Sequence, residues 1–230
     1  MTAVAIVAGL CVAGAYLLGA VPTGYLLGRG LLRRGLRRLE SDGRPLDVQL
    51  RTILTGSGAG AGPAVAAIDT VKVLVAATLT WHLVVAVSPG GTATTPNQSA
   101  VAFLADQVLV SWQSAALWAG LAAVVGHLAP VWLGFRSDAG QAPGIGLAVV
   151  YAPIGFVVGV VAFFAFRAVL GSDRLVAAVL VGLGAFVGWC WLAWIVDAQV
   201  AWGVPAGPEV TLWGGVLGGV LATRTLRVET

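Results

Sequence analysis

The sequence predicts an all-α integral membrane protein: a polytopic bundle of about six or seven transmembrane or re-entrant helices, N-terminus outside. Three observations carry this prediction. Of 230 residues, 58% are hydrophobic and 10% charged, with a mean hydropathy of +0.92; a soluble domain carries about 25% charged residues. The apolar residues fall in long runs separated by short polar segments, as bilayer-crossing helices require. Most of the positive charge sits in one segment, a topology signal rather than a nucleic-acid footprint. The bias to Ala, Val and Gly fits a GC-rich bacterial genome, and the chain is read as a multi-pass protein of the bacterial plasma membrane, one domain over 1–230.

The first predicted span is 3–28, with Pro22 near its end in "GAVPTGYLLGRG". It lacks a basic leader and runs past signal-peptide length, so it is read as retained. Residues 29–51 hold seven Arg against three acids; the positive-inside rule makes the basic segment 29–58 cytoplasmic. Within it, "LLRRGLRRL" (31–39) reads as an interfacial helix or a solvated basic loop. A second span covers 59–87. Loop 88–105 begins without charge and suits the outer face. A third span, 108–135, returns inside to the cytoplasmic loop 136–146. Runs 147–170 and 175–197 follow, and the last apolar run, 210–222, is short and Gly-rich. Six full spans would leave the C-terminal arginines Arg224 and Arg227 outside. Pro143 and Pro153 divide residues 140–168 into a re-entrant half-helix and a full span, which restores parity.

Ionisable residues at membrane depth are expensive and read first as functional. Asp69 and Lys72, at i and i+3 on the second span, share a helix face. They suit either a self-neutralising pair that packs the bundle or a polar anchor beside a ligand cavity. His127 ends the third apolar run, followed by Pro130 and Arg136. His82, beside Trp81, reads as interfacial, Arg167 and Arg174 as snorkelling, and Asp197 and Glu209 as solvated. Cys11 and Cys190 lie inside apolar runs, with no metal or disulfide spacing. No cofactor motif, metal cluster or nucleic-acid signature is readable, and no catalytic set can be named. Arg44, Arg51, Arg136, Ser137 and Gly140 fall on one membrane face. Arginine binds phosphate bidentately and glycine loops expose N–H groups to anions. The ligand expected there is an anionic amphiphile such as a membrane lipid.

Four stretches in order resemble the bacterial membrane acyltransferases of PlsY type, which move an acyl chain from acyl phosphate to glycerol 3-phosphate. They are "GAVPTGYLLGR" (19–29), "AGPAVAAIDTVK" (61–72), "GHLAPVWLGF" (126–135) and, more loosely, "FRAVLGSDRLVAAVL" (166–180). The resemblance implies a role in phospholipid biosynthesis. It also implies phosphate binding by Ser41, Arg51, Arg136, Ser137 and Gly140, supported by Asp69, Lys72 and His127.

The loops depart from the family pattern. After Phe135 the family continues Lys-Gly-Gly-Lys-Gly; here Arg136 stands for the first Lys, Ser137 and Asp138 for two Gly, and Ala139 for the second Lys, while Gly140 remains. The first motif has two registers, "SDGRPLDVQLR" (41–51), which keeps Ser41 and Arg51, or "GSGAG" (56–60). The His-x-x-Asn motif expected near the C-terminus is absent. The leading expectation is therefore the acyltransferase fold with a degraded or repurposed site, binding an acyl/phosphate amphiphile or serving in a membrane complex with a protein partner. The alternatives are a working acyltransferase using glycerol 3-phosphate, and a transporter or structural subunit.

Overall fold

A computed structural model describes residues 3–23, 26, 61–88, 112–135, 141–171, 174–196 and 207–227. Among these the chain forms seven α-helices and one short 3-10 turn, and no strand. The helices are α1 (Ala3–Gly19), α2 (Ala61–Val87), α3 (Trp112–Leu128), α4 (Ala142–Tyr151), α5 (Pro153–Leu170), α6 (Leu175–Ile195) and α7 (Pro208–Arg227). The protein is an all-α membrane protein. Within α2, Val65–Val87 is long and apolar enough to cross a bilayer, as are α5 and α6.

Helix ends correct the predicted spans. Regular α1 stops at Gly19, because Pro22 has no N–H to continue the ladder; the N–H of Val21 instead reaches the Leu18 carbonyl at 3.2 Å. Among the described residues the third span is an α-helix over Trp112–Leu128; past Pro130 it becomes a 3-10 turn, Val131–Leu133. The last run is longer than its apolar core suggests, since α7 extends over 20 residues.

Side-chain pairings fix how the helices run. Tyr16 of α1 reaches Ala129 just past α3, while Ala8 clusters with Ala115 near the start of α3, so α1 and α3 are parallel. Val84 joins that same start and Asp69 lies by His127 at the other end, so α2 is antiparallel to both. Gln141, capping α4, donates to Thr225 and to the Leu221 carbonyl of α7. Tyr151, at the far end of α4, meets the edge of Trp213 at 6.0 Å, so α4 opposes α7.

Thr211 donates to the Cys190 carbonyl and Gly218 faces Val187, so α6 also opposes α7. The α5 and α6 backbones touch where Gly159 meets Gly182, and Gly155 lies against Phe186 and Trp189, making α5 antiparallel to α6. Consequently α5 runs opposite to α4, and the chain reverses at Ala152, in front of Pro153. The ten-residue α4 enters the bundle and α5 leaves it on the same side, the geometry of a re-entrant half-helix.

The core fills the space between α2, α3, α4 and α7: Val73, Leu117, Leu147, Trp213 and Leu217 are wholly buried. Trp213 also meets Phe186 edge-on at 6.5 Å, which seats the α5–α6 hairpin on α7. Glu209 is not solvated as the sequence suggested. It is half-buried in the first turn of α7 and accepts hydrogen bonds from Ser114 and from Trp118 Nε1 of α3.

Candidate functional site

At the end of the bundle where α1 and α3 finish and α2 begins, four polar side chains meet at membrane depth. Asp69 and His127 are 5% and 8% exposed, so any charge they carry must be compensated within the protein. Lys72 Nζ lies 2.8 Å from Asp69 Oδ1. The contact is charge on charge rather than a directed hydrogen bond. His127 Nδ1 approaches the same oxygen at 3.6 Å. Lys72 also donates to the Val21 carbonyl at 2.8 Å and to Thr23 Oγ1 at 3.2 Å. An ammonium has three protons; two are donated to the end of α1, and its charge is met by Asp69.

The helices meet here because α1 and α3 carry glycine where their backbones touch. A Cβ on Gly19 would collide with the Ala123 carbonyl, and one on Gly126 with the Tyr16 carbonyl. This closeness lets the Tyr16 hydroxyl donate to the Ala129 carbonyl at 2.9 Å. It thereby pins the chain where α3 gives way to Pro130.

The next residues form a tight, internally bonded turn. The Gly134 N–H donates to the Val131 carbonyl at 3.1 Å and the Phe135 N–H to the Pro130 carbonyl at 2.9 Å. Gly134 and Phe135 both have φ of 62°. Glycine adopts that region freely; phenylalanine pays about 1–2 kcal/mol for it. Backbone strain of this kind clusters at functional segments, and Arg136 comes next in the chain. Trp132 and Phe135 project outward, 62% and 63% exposed, as aromatic rings at a membrane interface do.

Of the sequence-predicted residues, the structure brings Asp69, Lys72 and His127 into one cluster. Ser41, Arg51, Arg136, Ser137 and Gly140 lie outside the described residues, as do Arg44 and the basic stretch 31–39. Tyr16, Thr23 and the Val21 carbonyl were missed as partners. Their signal was present: a tyrosine inside an apolar run, and a proline that stops α1 beside a carbonyl.

A family model described as glycerol-3-phosphate acyltransferase matches residues 9–213. The chain is 30% identical over 183 residues to a protein named glycerol-3-phosphate acyltransferase from an Anaeromyxobacter species, covering 78% of this chain and 77% of that protein. It is 33% identical over 176 residues to the protein of that name from Synechococcus elongatus, covering 76% and 69%. With the Anaeromyxobacter dehalogenans protein of that name it shares 31% identity over 152 residues, 66% of this chain and 63% of the other. No solved structure matches the chain.

Proposed function

This chain belongs to the glycerol-3-phosphate acyltransferase family, and from that premise we propose that it keeps the family's membrane scaffold and anionic-amphiphile binding but transfers acyl groups poorly. Its ligands in this reading are an acyl phosphate and, as acceptor, glycerol 3-phosphate. They are held at the cytoplasmic rim of the bacterial plasma membrane by Ser41, Arg51, Arg136, Ser137 and Gly140. The N-terminus is outside, as the basic segment 29–58 implies.

One observation carries the reading: Lys72 is already committed. Its hydrogen bonds to Val21 and Thr23 and its ion pair with Asp69 already engage it between α1 and α2, which makes it a poor replacement for the loop cation absent at Ala139. Asp138 adds a negative charge where the family holds an anion. At about 4 Å that repulsion is worth on the order of 1 kcal/mol in water and more in a drier site. Acyl phosphate is already activated, so transfer depends mostly on positioning. The acceptor hydroxyl attacks the acyl carbonyl, the acyl–phosphate bond breaks, and the departing phosphate takes the proton. A loop that holds the phosphate loosely loses that alignment first.

The test is purified full-length protein in detergent with palmitoyl phosphate and glycerol 3-phosphate, measuring phosphate release and acyl phosphate binding separately. Binding with slow release supports the proposal; release at ordinary enzyme rates, above about 1 per second, overturns it. The relatives' shared name favours that second reading, a working acyltransferase. The Asp69–Lys72 pair ties α2 to the end of α1, which favours a packing role over the transporter reading.

A further inference from the structure

Gln141 opens α4 directly after residues 136–140, and its side chain does not serve its own helix. A side chain at a helix N-cap ordinarily accepts from an N–H of the first turn; Gln141 makes no such bond. Its Nε2 reaches α7 instead, donating to Thr225 Oγ1 at 2.5 Å and to the Leu221 carbonyl at 3.3 Å. Thr225 is buried, and its own proton goes to that same carbonyl at 2.9 Å. Both groups facing the amide are therefore acceptors, and only a donor completes them. Close approach makes the reach possible: a Cβ on Gly144 would strike Leu221, and one on Gly146 would strike Thr70 of α2. The first turns of α4 are thus wedged between α7 and the residue beside Asp69. On the other side of residues 136–140, Tyr16 holds Ala129 ahead of the turn that ends at Phe135.

We propose that Gln141 is a positioning residue for anion binding. By hydrogen-bonding the last turns of α7 it fixes the downstream flank of residues 136–140, as Tyr16 fixes the upstream flank. Gln141 acts through Gly140 and the first turn of α4 rather than by touching the ligand. The proposal rests on the head-group reading above, and it adds Thr225, from another helix, to the residues that set affinity.

The test is palmitoyl phosphate affinity of the full-length protein in detergent, read beside thermal stability. Gln141→Leu and Thr225→Val should each weaken binding about fivefold, the usual worth of one hydrogen bond. The double variant should bind no more weakly than either single one, because both remove the same bond. Thr225→Ser keeps the hydroxyl and should restore binding. A contact that served stability alone would lower the melting temperature and leave affinity untouched. Wild-type affinity in Gln141→Leu, or losses that add in the double variant, overturns the proposal. Arg136→Ala checks the head-group reading by itself. If it binds as wild type, that reading fails, and amide exchange at 136–140 decides the role of Gln141: faster exchange in Gln141→Leu upholds positioning, and unchanged exchange overturns it.

Discussion

Lys72 of α2 donates to the main-chain carbonyl of Val21, 2.8 Å away, across 51 residues of sequence. The lysine that the resemblance offers as a support of the phosphate site is here a clasp: it closes the end of α1 against α2 and pairs with Asp69. Because Tyr16 ties the same end of α1 to Ala129, three helices and the turn before Arg136 are fastened at one level.

Breaking that clasp from one side leaves a buried charge. Lys72→Met should destabilise the protein by about 3–5 kcal/mol, the usual cost of removing one partner of a buried ion pair. Removing both, Asp69→Asn with Lys72→Met, should cost clearly less. Unfolding in denaturing detergent measures both. Equal losses in the single and double variants would show that the pair is not coupled.

The hydroxyl of Tyr16 makes a separable contribution. Tyr16→Phe removes one hydrogen bond and should cost about 1 kcal/mol, leaving the ring's packing intact. Its larger effect falls on the turn: amide exchange at Gly134 and Phe135 should quicken more than exchange within α2. Uniform acceleration across the chain would argue against a local anchor.

The helical architecture was legible because a bilayer permits so few solutions: composition and run length alone predict the helices, and Pro143 and Pro153 mark the interruption found at Ala152. Helix ends were less legible, since they depend on contacts. Apolar composition continues past Gly19, yet Pro22 and a lysine from another helix end α1 there. Glu209 looked solvated because nothing local pairs with it; its partners Ser114 and Trp118 lie on another helix. Asp69 and Lys72 were visible as a pair through their i, i+3 spacing, but the contacts of Lys72 with Val21 and Thr23 were not, because no spacing encodes them.

Close helix approach gives a test with an internal control. Gly126→Ala places a methyl group against the Tyr16 carbonyl, and backbone cannot step aside cheaply, so a loss of about 1–3 kcal/mol is expected. Gly9→Ala meets nothing within 4 Å and should be neutral or gain up to about 1 kcal/mol from helix propensity. Thermal stability in detergent distinguishes them, and similar values for the two would mean that α1 and α3 are not held in contact.

Glu209 holds the opposite end of the bundle. Glu209→Ala should cost about 2–3 kcal/mol, because Ser114 and Trp118 lose a charged acceptor. Glu209→Gln keeps an acceptor oxygen and should recover most of that. The transfer assay should respond little to either change, since the clasp at Lys72 is untouched. A failure of Gln to rescue stability would mean that the charge, and not the hydrogen bonds, matters there.

Restoring the loop tests the proposed loss of transfer directly. Asp138→Gly with Ala139→Lys removes the charge that opposes phosphate and adds the cation that Lys72 is poorly placed to lend. Each change is worth on the order of 1 kcal/mol near 4 Å in water, so the pair should tighten palmitoyl phosphate binding by about tenfold or more. Much of that gain should disappear in 1 M salt, where the screening length falls to about 3 Å. Phosphate release in the presence of glycerol 3-phosphate should rise with it, because the phosphate is then held in line for transfer. Tighter binding without faster release would place the defect elsewhere, in the unmatched first motif or the absent C-terminal one. No change in either would remove Asp138 and Ala139 from the account.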